Sequence, residues 1–595
     1  MLAIVPQPSV ALEEMADFVR NRVPEFLMPS CPSPFTSSIA CQRRDATAAD
    51  FDFIRESLSY CDKHHRCHHG GYFNQGRITL LDCRTKGITD VKFPCRYIAL
   101  SYVWGDPGRE KEGTLTGQDQ RPQVIEDVMN VAKQLNINYV WVDKYCIDQQ
   151  NPQRKRQQLM NMHAIYRNAY ITVVDGAGSD MHSGLPGISK TRAGNQIVVQ
   201  LGRQSWVSTL GNPEILVHNS TWNSRGWTYQ EAIASPRLLI FTEEQVYFEC
   251  KGMRCWETVR ISLDSHHQKN RSRFGRCLRE PVFCQETQFP TAFEGRSDFP
   301  RYIEDFTRRN LTHGYDALNA IQGVLQFLET IPRDKVFNFW GIPLYATALH
   351  GFPSALTAGM AWTIQSQEDD TSLKPVLRRR GFPSWSWAGW ECTVGSFELD
   401  NLNHYTSTVS ISIQSRKGDE EPIPWDDFWS AQGGIEMSRR TNIWASGLGA
   451  NTGRKEYDYP WLDITTGIIK VQLVYFSVSI IETFWEPGFP VKPGFYILPH
   501  NKDKESLPTP INLPETYLEL NSEWEKEEIC RREWKCILLG YTPGEGYEGT
   551  DCPCVMLLNH YQRWDVTERV WGGRLNWESG WEHFYDLEPR RVRLY

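Results

Sequence analysis

The 595-residue sequence predicts an α/β fold, because short apolar strands alternate with amphipathic helices from Tyr97 onward. Helical crossovers between strands favour a mainly parallel sheet. Polar side chains follow the predicted strands, at the edge where a parallel sheet usually binds its ligands. Farther along, a helical pattern gives way to short strands separated by turn residues. We therefore expect an α/β domain, then a helical region, then a β-rich C-terminal region.

Composition and charge restrict the class of protein. The formal net charge is −8, so no basic excess favours binding to a nucleic acid backbone. No stretch approaches the roughly 18 apolar residues of a membrane span, and acidic residues interrupt the N terminus before an apolar core of signal-peptide length. The 16 cysteines are scattered without framework spacing, which is typical of reduced thiols. These features predict a cytoplasmic protein without nucleic acid partners or a membrane span.

The first half of the predicted sheet begins with a buried strand. The apolar, β-branched run at residues 97–103 ends in a turn that begins at Trp104. Apolar residues then recur at helical spacing over residues 124–135. A second strand is predicted at residues 139–142, with Asp143 at its end. The pattern therefore predicts a strand, a helix and a second strand in succession.

The second half of the sheet continues the alternation. Apolar residues mark one helix face over residues 159–169, and the strand predicted at residues 171–174 runs into Asp175. Residues 225–234 are predicted to form a helix, and two strand-like runs follow between residues 238 and 249. The α/β domain is therefore expected to close near residue 252.

Changes in residue composition and hydrophobic pattern along the chain predict four regions. A Pro/Ser-rich stretch at residues 29–38 suggests a partly loose N-terminal segment, and Gly, Pro, Asn and Asp turns separate the strands after residue 381. The predicted regions are an N-terminal segment at 1–94, the α/β domain at 95–252, a mainly helical region at 253–380 and the β-rich region at 381–595.

Three sequence blocks, in order, resemble the signature blocks of the fungal heterokaryon incompatibility (HET) domain. They are YIALSYVWG at residues 97–105, VWVDKYCIDQ at 140–149 and RGWTYQEAIAS at 225–235. Three further segments resemble ones that often accompany this domain. They are RITLLD at 77–82, GLPGIS at 184–189 and PSWSWAG at 383–389. The resemblance implies self/non-self recognition and programmed cell death, in the manner of innate immunity.

HET domains in turn look like distant relatives of Toll/interleukin-receptor (TIR) domains, some of which cleave NAD. The strand that ends in Ser101 and Tyr102 resembles the first TIR strand. Trp227 precedes Glu231 by four residues, as in the TIR pattern, so both share a helix face. The resemblance implies a TIR-like parallel sheet and an NAD glycohydrolase activity in which Glu231 is the catalytic carboxylate. NAD would then be a substrate, and no bound cofactor is expected.

The sequence departs from the family pattern after the second block. Family members usually carry an acidic-basic pair there, whereas this chain has Gln153, Arg154 and Lys155. Positive charges in the first turn of a helix are unfavourable unless solvent or a carboxylate compensates them. Any role of the family's acidic residue is therefore in doubt for this chain.

The candidate site residues stand at strand ends or in the third block. Glu231 is the catalytic candidate, and the ligand-binding candidates are Ser101, Tyr102, Trp104, Gly105, Asp143, Arg225, Trp227 and Gln230. Two alternatives remain open at this stage. The indole rings of Trp104 and Trp227 either stack on a ligand or fill the core. Asp143 either binds a ribose hydroxyl or pairs with an arginine such as Arg225.

One motif contains side chains that zinc prefers. Cys61, His64 and Cys67 are spaced by two residues each, and His65 is adjacent. No second ligand pair lies at a recognisable distance, so the sequence favours an interpretation without a metal site and leaves open whether this motif binds one. The sequence also lacks a phosphate-binding loop ending in Gly-Lys-Ser/Thr.

Two functions therefore compete. The first is an interaction and signalling module that acts through protein partners or self-association, without chemistry of its own. The second is the NAD glycohydrolase that the TIR resemblance implies. Both predict polar residues at the carboxyl edge of the sheet, so the sequence alone does not separate them.

Overall fold

A computed structural model of the chain divides into two compact units, Met1–Phe289 and Pro290–Tyr595. The boundary between these units falls inside the expected helical region at 253–380, and the division into four regions stays a prediction. The structure describes residues 2–3, 26–30, 40–65, 67, 76–105, 121–202, 204–250, 252–260, 263, 295–330, 335–345, 352–365, 376–379, 381–395, 397, 406–407, 409–414, 423–425, 461–476, 494–499, 509–511, 530, 534–542, 552–561, 566–574 and 585–594. The Pro/Ser-rich stretch at residues 29–38 lies mostly outside them.

The first unit has the following described elements. Its strands are β1 (Leu2–Ala3), β2 (Phe26–Pro29), β3 (Ala40–Cys41), β4 (Arg77–Asp82), β5 (Ile88–Lys92), β6 (Tyr97–Ser101), β7 (Tyr139–Trp141), β8 (Ile171–Asp175), β9 (Val198–Leu201), β10 (Gln204–Ser208), β11 (Arg237–Phe241), β12 (Val246–Cys250), β13 (Met253–Trp256) and β14 (Val259–Arg260). Its helices are α1 (Phe51–His64), α2 (Gln123–Gln134), α3 (Asp143–Cys146), α4 (Pro152–Met160), α5 (Met162–Asn168), α6 (Pro213–His218) and α7 (Gly226–Ala234).

The main sheet of this unit is mixed. Its eight strands follow the order β13-β12-β11-β8-β6-β7-β4-β5. The four central strands, β11, β8, β6 and β7, are parallel to one another, whereas the neighbours at both edges are antiparallel. The expected mainly parallel sheet is therefore found only at the centre. Hairpins cause the difference, because short connections such as those of β4 to β5 and β11 to β12 allow only antiparallel pairing.

The central strand β6 is buried on both faces. Its side chains alternate between two apolar clusters, with Ile98 and Leu100 on one face and Tyr97 and Ala99 on the other. Helix α2 contributes to the first cluster and α5 to the second. This layering explains the continuous apolar run in the sequence, since a strand covered on both faces does not alternate with polar residues.

A buried ion pair joins segments that are distant along the chain. Nη1 of Arg192 lies 2.9 Å from both carboxylate oxygens of Glu257, and both side chains are almost fully buried. The same carboxylate accepts hydrogen bonds from the backbone amides of Asp50 and Val246, each at 2.8 Å. Glu257 therefore links the N-terminal segment, a loop and β12 in one network.

The first turn of α4 carries the positive charges that follow the second block, and one of them lies near a carboxylate. The side chain of Asn151 caps the helix by accepting hydrogen bonds from the amides of Gln153 and Arg154. The guanidinium of Arg154 lies 3.9 Å from the carboxylate of Asp148. Because Arg154 is 74% exposed, this ion pair contributes little stability.

The second unit combines helices and strands. Its described helices are α8 (Gly295–Thr307), α9 (Gln322–Leu328) and α10 (Phe352–Met360), with 3-10 turns at Gly314–Asp316, Asn319–Ile321 and Trp387–Gly389. Its described strands are β15 (Val336–Phe339), β16 (Ile342–Tyr345), β17 (Leu377–Arg378), β18 (Trp390–Glu391), β19 (Thr406–Ser407), β20 (Ser410–Gln414), β21 (Ile423–Pro424), β22 (Trp461–Phe476), β23 (Gly494–Pro499), β24 (Thr509–Ile511), β25 (Trp534–Thr542), β26 (Cys552–Tyr561), β27 (Val566–Arg574) and β28 (Tyr585–Leu594).

The largest sheet of the second unit runs in the order β19-β25-β26-β27-β28-β22-β20-β21, and β23 and β24 branch from β22. Its pairings are antiparallel except for a short parallel contact between β27 and β28. The tryptophan-rich segment at residues 383–389 is buried. The indole of Trp387 donates to the carbonyl of Gly341, and that of Trp390 to the carbonyl of Ser384, each at 2.7 Å.

No helix among the described residues has the length and apolar character that crossing a membrane requires.

The Glu257 network generates a stability prediction. We expect Glu257→Ala to lower the free energy of unfolding by about 3–5 kcal/mol, because it leaves the buried Arg192 guanidinium without its charged partner. Urea denaturation followed by tryptophan fluorescence measures the change. Glu56→Ala is the matched control, since Glu56 is 68% exposed in its ion pair with Arg260 and should cost about 0–1 kcal/mol. Equal losses in the two variants would contradict the prediction.

Candidate functional site

The end of the central strand carries a buried polar network. The hydroxyl of Ser101, the last residue of β6, donates a hydrogen bond to Oε2 of Glu231 on α7. The indole Nε1 of Trp222 donates to the Ser101 Oγ at 2.7 Å. Ser101 is 1% exposed, Glu231 is 6% exposed and Trp222 is fully buried. Ser101 therefore connects an indole donor to a carboxylate acceptor inside the protein.

Helix α7 is held against the sheet by a second set of hydrogen bonds. Ser235, which follows the helix, donates to the backbone carbonyl of Glu231 at 2.6 Å. Its hydroxyl also lies 2.7 Å from that of Thr172 on β8. The hydroxyl of Thr228 donates to the backbone carbonyl of Trp222 at 2.7 Å. These contacts fix both ends of the helix and place the Glu231 side chain level with Ser101.

The neighbouring strand β7 leads to a second carboxylate, Asp143. The indole of Trp104 donates to Oδ2 of Asp143 at 2.8 Å, and the backbone amide of Lys144 donates to Oδ1 at 2.7 Å. Asp143 is half-buried, whereas Tyr102 beside it is buried. The Lys144 ammonium lies 5.7 Å from the centroid of the Trp104 ring. Neutral donors therefore hold Asp143 directly.

Both carboxyl groups titrate near neutral pH. Burial and, after it, the charge of Asp143 together raise the pKa of Glu231 to about 7, whereas the hydrogen bond from Ser101, the nearby Tyr166 hydroxyl and the charge of Arg225 act to lower it. Burial likewise raises the pKa of Asp143 to about 6, against its hydrogen bonds and Arg225. Two interacting acids with raised pKa values are typical of functional sites, although buried structural networks show them too.

The structure groups most of the predicted site residues at the carboxyl edge. Ser101 contacts Glu231, Trp104 contacts Asp143, and the charge of Arg225 acts on both carboxylates. Asp143 lies near enough to Glu231 to raise its pKa.

The remaining predicted residues have other surroundings. The half-buried ring of Trp227 packs against the apolar cluster that contains Trp141. Gln230 is buried on α7. Gly105 has a φ of +96°, and a Cβ atom there would lie 2.8 Å from the Cβ of Asp180. Glycine is therefore required at that turn for its backbone conformation and its lack of a side chain.

Two residues of the network were missed by the sequence reasoning. Trp222 donates to Ser101, and the buried Tyr166 donates its hydroxyl to the carbonyl of Leu100 at 3.0 Å while lying beside Glu231. Trp222 precedes the third block by three residues, and Tyr166 lies in the helix after the second block. Their proximity to the blocks was the available signal, but only the fold reveals the contacts.

Potential metal ligands gather elsewhere in the first unit. Within the ranges that the structure describes, the group of side chains able to share one ion comprises Cys61, His65, Cys67 and Cys250. That group does not include Asp143 or Glu231.

The indole donor is the first target for a test. We expect Trp222→Phe to lower the free energy of unfolding by about 1–3 kcal/mol, because Ser101 loses its donor and the buried ring shrinks. Thermal and urea denaturation measure the loss. Trp206→Phe, at a half-buried position on β10, should cost less. An equal effect of both substitutions would contradict a special role for the Trp222 indole.

The raised pKa of Glu231 predicts a pH dependence of stability. Between the unfolded value of 4.5 and the folded value of about 7, the folded state binds more protons than the unfolded state. The contribution of Glu231 to the free energy of unfolding is therefore fully present below about pH 4.5. It decreases as the pH rises to about 7, by up to about 1.4 kcal/mol per pH unit.

Glu231→Gln should remove this dependence, because the amide resembles the protonated acid. We expect the variant to match the wild type near pH 4.5 and to exceed its free energy of unfolding by about 1–3 kcal/mol at pH 8. Urea denaturation across this pH range isolates the Glu231 contribution as the difference between the two proteins. Glu243→Gln, at an exposed position, should leave the wild-type curve unchanged. A constant difference at all pH values would show that Glu231 has an ordinary pKa.

One known family matches the part of the chain that contains most of these residues. Residues 97–231 match the family described as heterokaryon incompatibility protein (HET). The matched range contains β6, β7 and β8 and ends at Glu231. No significant match to the chain was found among the curated proteins or the solved structures. The HET resemblance of the sequence is thus confirmed, and the TIR resemblance stays a prediction. Residues 97–231 of this chain are a heterokaryon incompatibility domain.

Proposed function

We propose that the HET domain of this chain is an interaction and signalling module whose assembly triggers cell death. The domain itself implies a role related to heterokaryon incompatibility. The finer proposal concerns how that role is performed, through protein partners or self-association and without chemistry at the carboxyl edge. The hydrogen bonds from Trp222 to Ser101 and from Ser101 to Glu231 support this proposal, because they hold α7 against the end of β6.

The observation that carries the proposal is the orientation of the Glu231 carboxylate. It is 6% exposed and bound by Ser101, which is itself bound by Trp222. A catalytic carboxylate must come within hydrogen-bond reach of its substrate. The Glu231 carboxylate is bound by Ser101 of the same domain and points into the interior. This orientation supports a role of Glu231 in fixing α7 rather than in catalysis.

A cell-death assay tests the proposal directly. Induced expression of the full chain in a fungal host should kill cells, and Glu231→Gln should retain this killing because its amide oxygen still accepts the Ser101 hydrogen bond. Colony survival after induction measures the outcome. Glu243→Gln is the matched surface control. Loss of killing in a folded Glu231→Gln variant, with the control still active, would contradict the proposal.

A second candidate function is NAD glycohydrolysis, and one observation favours it. Glu231 and Asp143 lie near each other at the carboxyl edge, with pKa values raised to about 7 and about 6. Breaking the bond between ribose and nicotinamide develops positive charge on the sugar, which a carboxylate stabilises. For this role, Glu231 would have to leave Ser101 and reach a bound nucleotide.

Nicotinamide release separates the two functions. Concentrated purified protein incubated with NAD should release no nicotinamide above background if the domain is a module. Release that Glu231→Gln abolishes and Glu243→Gln preserves would establish the enzyme instead. Chromatographic measurement of nicotinamide, with circular dichroism to check the folding of each variant, gives a clear result in either case.

A further inference from the structure

Three cysteines and one histidine meet in the interior of the first unit. Cys61, His65, Cys67 and Cys250 each offer one ligand atom, and these atoms all lie within 4.8 Å of one another. The three cysteines are buried and form no disulfide. We propose that these four side chains bind a structural zinc ion, a Cys3His site that ties α1 to β12.

The distances suit a tetrahedral ion. Zinc lies about 2.3 Å from a thiolate sulfur and about 2.0–2.1 Å from an imidazole nitrogen, so tetrahedral angles separate sulfur from nitrogen by about 3.5 Å and two sulfurs by about 3.8 Å. The Sγ of Cys250 lies 3.4 Å from Nδ1 of His65. Since every pair of ligand atoms lies within 4.8 Å, an ion requires only small movements of the side chains.

The local fold explains how three of the ligands come together. Cys61 occupies the last turn of α1, and the backbone amide of His65 donates to its carbonyl at 2.9 Å as the helix ends. The extended backbone at His65 then leads to Cys67 two residues later. A helix end followed by an extended turn thus brings three ligands from a seven-residue segment to one point.

The fourth ligand comes from the sheet. Cys250 is the last residue of β12, and its Sγ accepts a hydrogen bond from the backbone amide of Gly252 at 3.4 Å. A Cβ atom at Gly252 would lie 2.7–2.8 Å from three atoms of the His65 ring. Glycine at this turn therefore allows the imidazole to approach Cys250.

The structure distinguishes His65 from the adjacent His64. The ring of His64 stacks on Tyr60, with centroids 4.2 Å apart, and is not a member of the ligand group. The regular spacing of Cys61, His64 and Cys67 in the sequence is therefore misleading. Cys250 is the ligand that the sequence search lacked, because it lies far from the motif along the chain.

The chemistry of the ligands favours zinc over a simple cluster of thiols. Three thiolates and one Zn²⁺ leave a net charge of −1, and the buried Arg237 guanidinium, which pairs with Asp62 at 2.6 Å, also lies close enough to Cys61 to interact with it. A disulfide would use two of the three sulfurs and give His65 no role. Thiolates and imidazole are also the ligand types that structural zinc prefers.

The ligands lie on both sides of the HET match along the chain. Three come from residues 61–67 and one is residue 250, whereas the match covers residues 97–231, so the ion would join two segments outside it.

Metal content is the first test. Full-length protein, purified under reducing conditions and freed of any affinity tag, should contain about one zinc per chain by mass spectrometry of the metal. Cys250→Ser should reduce that content by about tenfold, while Cys95→Ser, at a partly exposed cysteine outside the group, should retain it. A folded, metal-free wild type that binds neither added zinc nor cobalt would overturn the proposal, as would full zinc content in Cys250→Ser.

Cobalt substitution keeps the test decisive if Cys250→Ser fails to fold. Wild-type protein loaded with Co²⁺ should show the intense visible bands of a tetrahedral site and a thiolate-to-cobalt charge-transfer band. The adjacent histidines form a matched pair, since His65→Asn should weaken or shift these bands and His64→Asn should leave them unchanged. The opposite pattern, or equal effects of the two substitutions, would refute the assignment of His65.

Discussion

The hydrogen bond from Ser101 to Glu231 is the contact on which the carboxyl edge of the sheet depends. Ser101 ends a strand that is covered on both faces, so its hydroxyl has no access to water. An unpaired buried polar group costs about 1–3 kcal/mol, which requires a donor and an acceptor to be brought to the same place. Trp222 and Glu231 meet that requirement, and they thereby fix the loop before α7 and the helix itself.

The same burial gives the edge its electrostatic character. The donors that hydrogen-bond Glu231 and Asp143 are neutral groups. Arg225 affects both carboxylates through its charge. A carboxylate in such surroundings loses hydration without gaining a close cation, so its proton is retained to a higher pH. This environment is compatible with a rigid scaffold and with acid-base chemistry. The orientation of Glu231 toward Ser101 favours the scaffold.

The HET match covers less than the structural unit that contains it. Three of the eight strands in the main sheet, β6, β7 and β8, fall within residues 97–231. The other five come from the flanking segments. Glu257 then connects Asp50 and Arg192 to β12. Residues outside the family match therefore supply both edges of the sheet that contains the HET domain.

The sequence by itself determined the HET domain, the alternation of strands and helices, and the polar residues at the strand ends. These features are local, since strand runs, helical periodicity and motif order are read from neighbouring residues. Only the tertiary structure decided the antiparallel edges of the sheet, the pairing of Trp222 with Ser101, and the approach of Cys250 to Cys61. Each of these joins residues that are distant along the chain, and such contacts arise from how the layers pack rather than from any local pattern.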